Sequence, residues 1–151
     1  MEIEKKFLVE VIPRQLEQYT KKEISQAYIS TDPTIRIRKS NSSFILTIKG
    51  KGSIAREEFE LNISENQYNN LAAKAETPFI VKTRYIIPIG NTLKAELDEY
   101  HSQLEGLYTV EVEFSTIYEA EAFIPPIWFG KDVSNDKRYK NTSLSVNGIP
   151  K

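Results

Sequence analysis

The sequence predicts a β-dominated α+β fold in which eight antiparallel strands close into a barrel with a few helices packed on it. Two observations carry this. Short runs rich in Ile, Val, Phe and Tyr recur from end to end with period-two alternation. Clusters of Gly, Asn and Ser between them, at Asn41-Ser42-Ser43, Gly50 to Ser53 and Gly90-Asn91, have the chemistry of hairpin turns, which join antiparallel neighbours.

In chain order the strands are expected over Met1 to Val9, Gln26 to Thr31, Thr34 to Lys39, Phe44 to Gly50, Ala55 to Asn62, Phe79 to Ile87, Leu93 to His101 and Thr109 to Phe114. Helical signals are fewer. Pro13 suits the first turn of a helix to Tyr19, and Ser64-Glu65-Asn66-Gln67 reads as a capping box opening a helix to about Ala75. A third helix is expected after Ser115 or Thr116 and a short one after Ser134, separated by Pro125-Pro126. Trp128 and Phe129 read as packing beneath the last helix. With no repeat and no linker, residues 1–151 read as a single domain.

A chain of 151 residues can bury a proper core. A formal net charge of -1 with plentiful, balanced charges argues against a nucleic-acid or membrane-surface binder, so any strong field must be local. The absence of cysteine excludes disulfides, thiolate chemistry and Cys-ligated zinc. No apolar run approaches a membrane span and the opening MEIEKK has no signal-peptide core, so the chain reads as soluble and cytoplasmic.

The charges then fall in an unusual place. Residues i and i+2 of a strand share a face. Glu2, Glu4 and Lys6 share one, as do Arg36 and Arg38, Lys49 and Lys51, and Arg56, Glu58 and Glu60. Lys82 and Arg84, Glu96 and Asp98, and Glu111 and Glu113 complete the set. Ile3, Ile35, Ile37, Phe59, Leu97 and Val112 alternate with them. Any one pair is compatible with a face that meets water, but like charges two apart on so many strands repel unless opposite charge lies between them. With the apolar faces outward, the charges line the barrel. Such a lumen needs water, ions or a highly charged ligand. A polyanion with divalent cations satisfies both signs: Arg and Lys clamp phosphate oxygens, and carboxylates hold Mg²⁺ or Mn²⁺.

These residues resemble the CYTH superfamily, the triphosphate tunnel metalloenzymes, over nearly the whole chain. The E-x-E-x-K signature stands as Glu2-Ile3-Glu4-Lys5-Lys6, followed in order by Arg36-Ile37-Arg38, Lys49, the run Arg56 to Glu60, Lys82-Thr83-Arg84, Glu96-Leu97-Asp98 and Glu111-Val112-Glu113. The resemblance implies an eight-stranded tunnel hydrolysing linear triphosphates with Mg²⁺ or Mn²⁺. It implies metal binding by Glu2, Glu4, Glu111 and Glu113, which with Lys6 form the catalytic set. Triphosphate contacts are implied for Lys6, Arg36, Arg38, Lys49, Lys82 and Arg84, with Lys51 and Arg56 added and Glu58, Glu60, Glu96 and Asp98 as supporting ion-pair partners. The tail around Asp132 to Asn141 resembles the family's C-terminal helix at the tunnel mouth, where Lys137 is the first choice for a basic contact, ahead of Arg138 and Lys140.

Inorganic triphosphate is the expected substrate and small-molecule partner, with nucleoside triphosphates next. The alternatives are thiamine triphosphate hydrolysis, a class IV-type adenylyl cyclase and a polyphosphate or nucleotide sensor without turnover. Gly50-Lys51-Gly52-Ser53 fails the spacing of a P-loop. The sole imidazole, His101, is read as a surface residue.

Overall fold

The computed structural model describes residues 1–151. Its strands are β1 (Glu2–Val9), β2 (Thr20–Thr31), β3 (Thr34–Ser40), β4 (Ser43–Lys49), β5 (Ala55–Arg56), β6 (Glu58–Asn62), β7 (Ile80–Ile89), β8 (Leu93–Tyr100), β9 (Tyr108–Glu113) and β10 (Phe129–Asp132). Helices α1 (Glu65–Ala72), α2 (Ile117–Ala122) and α3 (Asn141–Asn147) lie among them. The strands follow the order β10-β1-β9-β8-β7-β2-β3-β4-β6, and β5 returns to β1, every pairing being antiparallel.

The ring closes because one expected strand divides. At Glu57 the chain leaves β5 on β1, where Glu2 faces Arg56 and Ile3 faces Ala55, and continues as β6 on β4. The Gly50 amide donates to the Glu57 carbonyl at 2.8 Å and pins the bend. Counting β5 and β6 as one stave gives the eight staves that the alternation predicts. The seam is two residues long, and β10 takes the rest of the same edge of β1.

Alternation decides which face looks outward. Phe7, Leu97, Val110 and Val112 turn out from β1, β8 and β9 and are buried with Phe114, Ala120 of α2 and Phe129 of β10. Each such side chain, fully removed from water, contributes on the order of 1.5–3 kcal/mol. A second cluster, Ile80, Tyr100, Leu104, Leu107 and Leu144, seats α3 at one end of the barrel.

Three expectations need correction. The helix expected from Pro13 to Tyr19 is one 3-10 turn, Leu16–Gln18, because Gln15 is left-handed (φ 56°) and breaks the run. Strand β2 starts at Thr20 rather than Gln26: Thr20, Lys22, Ile24 and Gln26 share its inward face, and β7 pairs with it from Thr20 to Gln26. Trp128 and Phe129 do not lie beneath the last helix. Phe129 opens β10 and packs its ring 5.0 Å from that of Phe7, while Leu144 anchors α3 elsewhere. The capping box at Ser64 forms as expected, with Ser64 and Gln67 exchanging side-chain and backbone hydrogen bonds, and Thr116 caps α2.

Candidate active site

The inward faces divide the ring by charge. The adjacent staves β1, β9 and β8 carry Glu2, Glu4, Lys6, Glu111, Glu113, Glu96 and Asp98, and the opposite arc β7-β2-β3-β4 carries Lys82, Arg84, Arg36, Arg38 and Lys49. Two cavities, of about 720 Å³ and 630 Å³, enter from the two ends and share Glu4, Lys49 and Glu111 on their walls. These three mark the waist of a tunnel.

The first cavity is also lined by Lys6, Tyr28, Lys51, Arg56, Lys137 and Lys140. Its mouth is shaped by Gly52, at φ +139°, where a Cβ would stand 2.3 Å from the Ala55 carbonyl oxygen, so that only glycine fits. The chain from Val133 to Thr142 forms the other lip. Lys6 ties it down: its amide donates to Ser134 Oγ (3.0 Å) and its Nζ to the Tyr139 carbonyl (2.6 Å). Lys137 and Lys140 both face this cavity, whereas Arg138 turns away to pair with Asp136 at 2.7 Å. The second cavity is lined by Glu2, Arg36, Arg38, Glu58, Glu60, Arg84, Glu96 and Glu113, together with Lys22 and Lys94.

Lys82 and Asp98 lie on neither wall. Both are fully buried, with Lys82 Nζ 2.7 Å from Asp98 Oδ2 and 5.4 Å from the Tyr100 ring centroid. Asp98 also receives Arg84 through two parallel bonds of 2.7 and 2.9 Å, and the same guanidinium reaches Glu111 at 3.2 Å and Glu96 at 3.5 Å. Burial pushes the Asp98 carboxyl up, but the charges of Arg84 and Lys82 outweigh it and hold it well below the ordinary range. Burial pulls the Lys82 ammonium down to about 7. Lys82 is thus placed against Asp98, off both cavity walls.

The four carboxylates Glu2, Glu4, Glu111 and Glu113 share one region but do not converge: no three acidic or imidazole groups are arranged as a metal-holding set. Basic partners draw two of them aside. Glu2 pairs with Lys49 (3.1 Å) and Arg56 (3.8 Å), Glu111 with Arg84. Against burial, Lys6 and Arg84 bring the Glu111 carboxyl down to about 2, and Lys49 leads the groups that lower Glu2. Glu4 goes the other way, raised well above the usual range by burial and then by Glu111 and Glu2. Glu113 is raised by burial and by Glu2. Two carboxylates are therefore compensated and two are not. The deficit is positive charge beside hard oxygen donors, which fits a divalent cation.

Sequence reasoning missed Lys22, Lys94, Gln26, Thr47 and Tyr28. Lys94 and Thr47 each stand two residues from a counted charge, Glu96 and Lys49, so extending the period-two rule would have found them, whereas Lys22 lies ahead of the residue at which the second strand was expected to begin. Gln26 and Tyr28 are uncharged and carry no such signal. His101 is half-buried, its Nε2 2.8 Å from Thr83 Oγ1 on the outside of the barrel.

An antiparallel ring with inward charges split between an acidic and a basic arc defines a tunnel protein for a polyanion. The chain belongs to the CYTH domain family, whose profile matches residues 1–123. It is 38% identical over 149 residues to an inorganic triphosphatase of Nitrosomonas europaea, covering 96% of this chain and 97% of that one. An inorganic triphosphatase of Acetivibrio thermocellus is 33% identical over 149 residues, covering 97% and 94%. A crystal structure of an inorganic triphosphatase superposes with a TM-score of 0.72 at 36% identity, over 100% of this chain and 97% of that one. At 16% identity, a Hippeastrum structure with a TM-score of 0.62 shares the fold over 81% of this chain and 83% of that one.

Proposed function

We propose that this protein hydrolyses linear triphosphates, inorganic triphosphate foremost, within the tunnel and with a divalent cation, Mg²⁺ or Mn²⁺. The observation that carries the reading is the waist, where Glu4 and Glu111 of the acidic arc meet Lys49 of the basic arc on the walls of both cavities. The relatives named inorganic triphosphatase cover nearly the whole chain and support it.

Arg36, Arg38 and Arg84 line the second cavity and hold phosphoryl oxygens by charge-assisted hydrogen bonds. Lys49 reaches the waist, and Lys6, Arg56 and Lys137 serve the first cavity, with Lys51 at its rim. Glu4 and Glu113, the uncompensated acids, with Glu2 and Glu111 beside them, would hold the cation, which supplies Lewis acidity and neutralises phosphoryl charge. Water attacks the terminal phosphorus, the bond to the bridging oxygen breaks, and orthophosphate and pyrophosphate leave. The protein supplies position and field, and no side-chain nucleophile is required.

The test is product analysis with inorganic triphosphate and ATP side by side, with Mg²⁺, with Mn²⁺ and with chelator. Cation-dependent release of orthophosphate and pyrophosphate from inorganic triphosphate is expected. Cyclic AMP with pyrophosphate from ATP would replace this reading with a cyclase, and absence of turnover with a binding module.

A further inference from the structure

Four of the five cations on the basic arc lie within 4 Å of a carboxylate: Arg36 of Glu60, Lys49 of Glu2 and Glu58, Lys82 of Asp98, and Arg84 of Asp98, Glu96 and Glu111. Arg38 makes no ion pair. Its one side-chain partner is Gln26, directly opposite on β2, whose Oε1 accepts from Arg38 Nε at 2.8 Å. Gln26 is fully buried, and its Nε2 has no partner. The orientation of the amide is fixed, because Nε is a donor and only the amide oxygen can receive it.

We infer that Gln26 is a positioning residue for substrate binding: it aims the Arg38 guanidinium into the tunnel without neutralising it. The inference rests on the triphosphate reading above. A carboxylate at this distance would orient Arg38 equally well but would close an ion pair and cancel the charge that a phosphoryl oxygen needs. A neutral acceptor fixes Nε and leaves both terminal nitrogens to the ligand. Gln26 sits between buried Ile24 and Tyr28 on the inward face of β2, so the amide has little freedom to leave. Burial, then Arg36 and Arg84, pull the Arg38 guanidinium down to about 9, as befits a cation beside other cations with no carboxylate within ion-pair distance. An arriving polyanion relieves that repulsion, and substrate affinity and apo-protein stability are in opposition at this position.

Gln26→Glu separates this role from a packing role. It is expected to raise Tm, because Arg38 gains a counter-charge, and to raise KM for inorganic triphosphate at least about tenfold with a much smaller change in kcat. Titration calorimetry with inorganic triphosphate should show the same loss. Gln26→Met, of similar volume, is expected to raise KM severalfold without the gain in Tm, and it stands in if Gln26→Glu fails to fold. Wild-type affinity in either folded variant overturns the inference while the triphosphatase reading stands. A wild-type protein that neither binds nor cleaves inorganic triphosphate removes both.

Discussion

Glu4 and Glu111 stand diagonally across the β1–β9 pairing on opposite sides of their own titration range: Arg84 and Lys6 hold Glu111 down, while burial and the neighbouring Glu111 and Glu2 push Glu4 up. Two carboxylates this close, one compensated and one not, leave a place for added positive charge. Mg²⁺ or Mn²⁺ should therefore raise the Tm of the protein without substrate, and Glu4→Gln should abolish that rise while the barrel stays folded. Equal cation-induced shifts in variant and wild type would count against Glu4.

Glu2→Gln and Glu111→Gln are expected to remove most cation-dependent turnover, by about 10²-fold or more in kcat, a loss of ~3 kcal/mol of transition-state stabilisation. Circular dichroism should show the barrel intact. Near-full activity in both would exclude the carboxylate cluster from the chemistry.

Asp98 is the buried hub of Lys82 and Arg84, and Asp98→Asn leaves two buried cations short of their counter-charge. Breaking such a pair costs about 3–5 kcal/mol, to be read by chemical denaturation. Its pH dependence has a definite sign. Because the folded-state pKa lies below the ordinary 3.8, the stabilisation is fully present above that value and is lost as pH falls through it and onward toward the lower folded value. The wild-type stability curve should fall steeply below about pH 4, and Asp98→Asn should flatten that limb.

Lys6 joins the first strand to the C-terminal lip through the Tyr139 carbonyl. Lys6→Ala is expected to weaken triphosphate binding and to speed amide exchange between residues 133 and 147. Unchanged exchange there would show that α3 and the main-chain bonds of residue 6 hold the lip without the ammonium, and unchanged affinity would remove Lys6 from the binding set.

Ser64→Ala offers a contrast outside the tunnel. It removes the Ser64 hydroxyl cap from the Gln67 amide at a cost of about 1 kcal/mol, measurable as a fall in Tm with kcat and KM unchanged.

What was legible in the sequence was whatever obeys a short period. Glu2, Glu4 and Lys6, or Glu111 and Glu113, announce one face of a strand by spacing alone, and the ring reproduces those faces. Ser64 and Gln67 announce a helix start because both halves of the cap are local. Other features depend on partners far along the chain. The sequence Thr20 to Ser25 is a strand because β7 pairs with it, and Glu57 is a bend because β5 and β6 belong to different neighbours. Spacing placed Lys82 on the inward face, but only the three-dimensional packing shows that Asp98 and Tyr100 keep it off the cavity walls. Gln26 was invisible for a different reason: its role depends on lacking charge.

The two-residue seam between β1 and β5 makes the barrel a clasp rather than a welded hoop. Its fastening residues, Glu2 and Ile3, include one of the acids that line the second cavity, and Arg56 on the other jaw lies 3.8 Å from that same acid. Whatever occupies the tunnel and engages Glu2 or Arg56 also tightens the fastening, so affinity and the mechanical integrity of the hoop are two readings of one equilibrium.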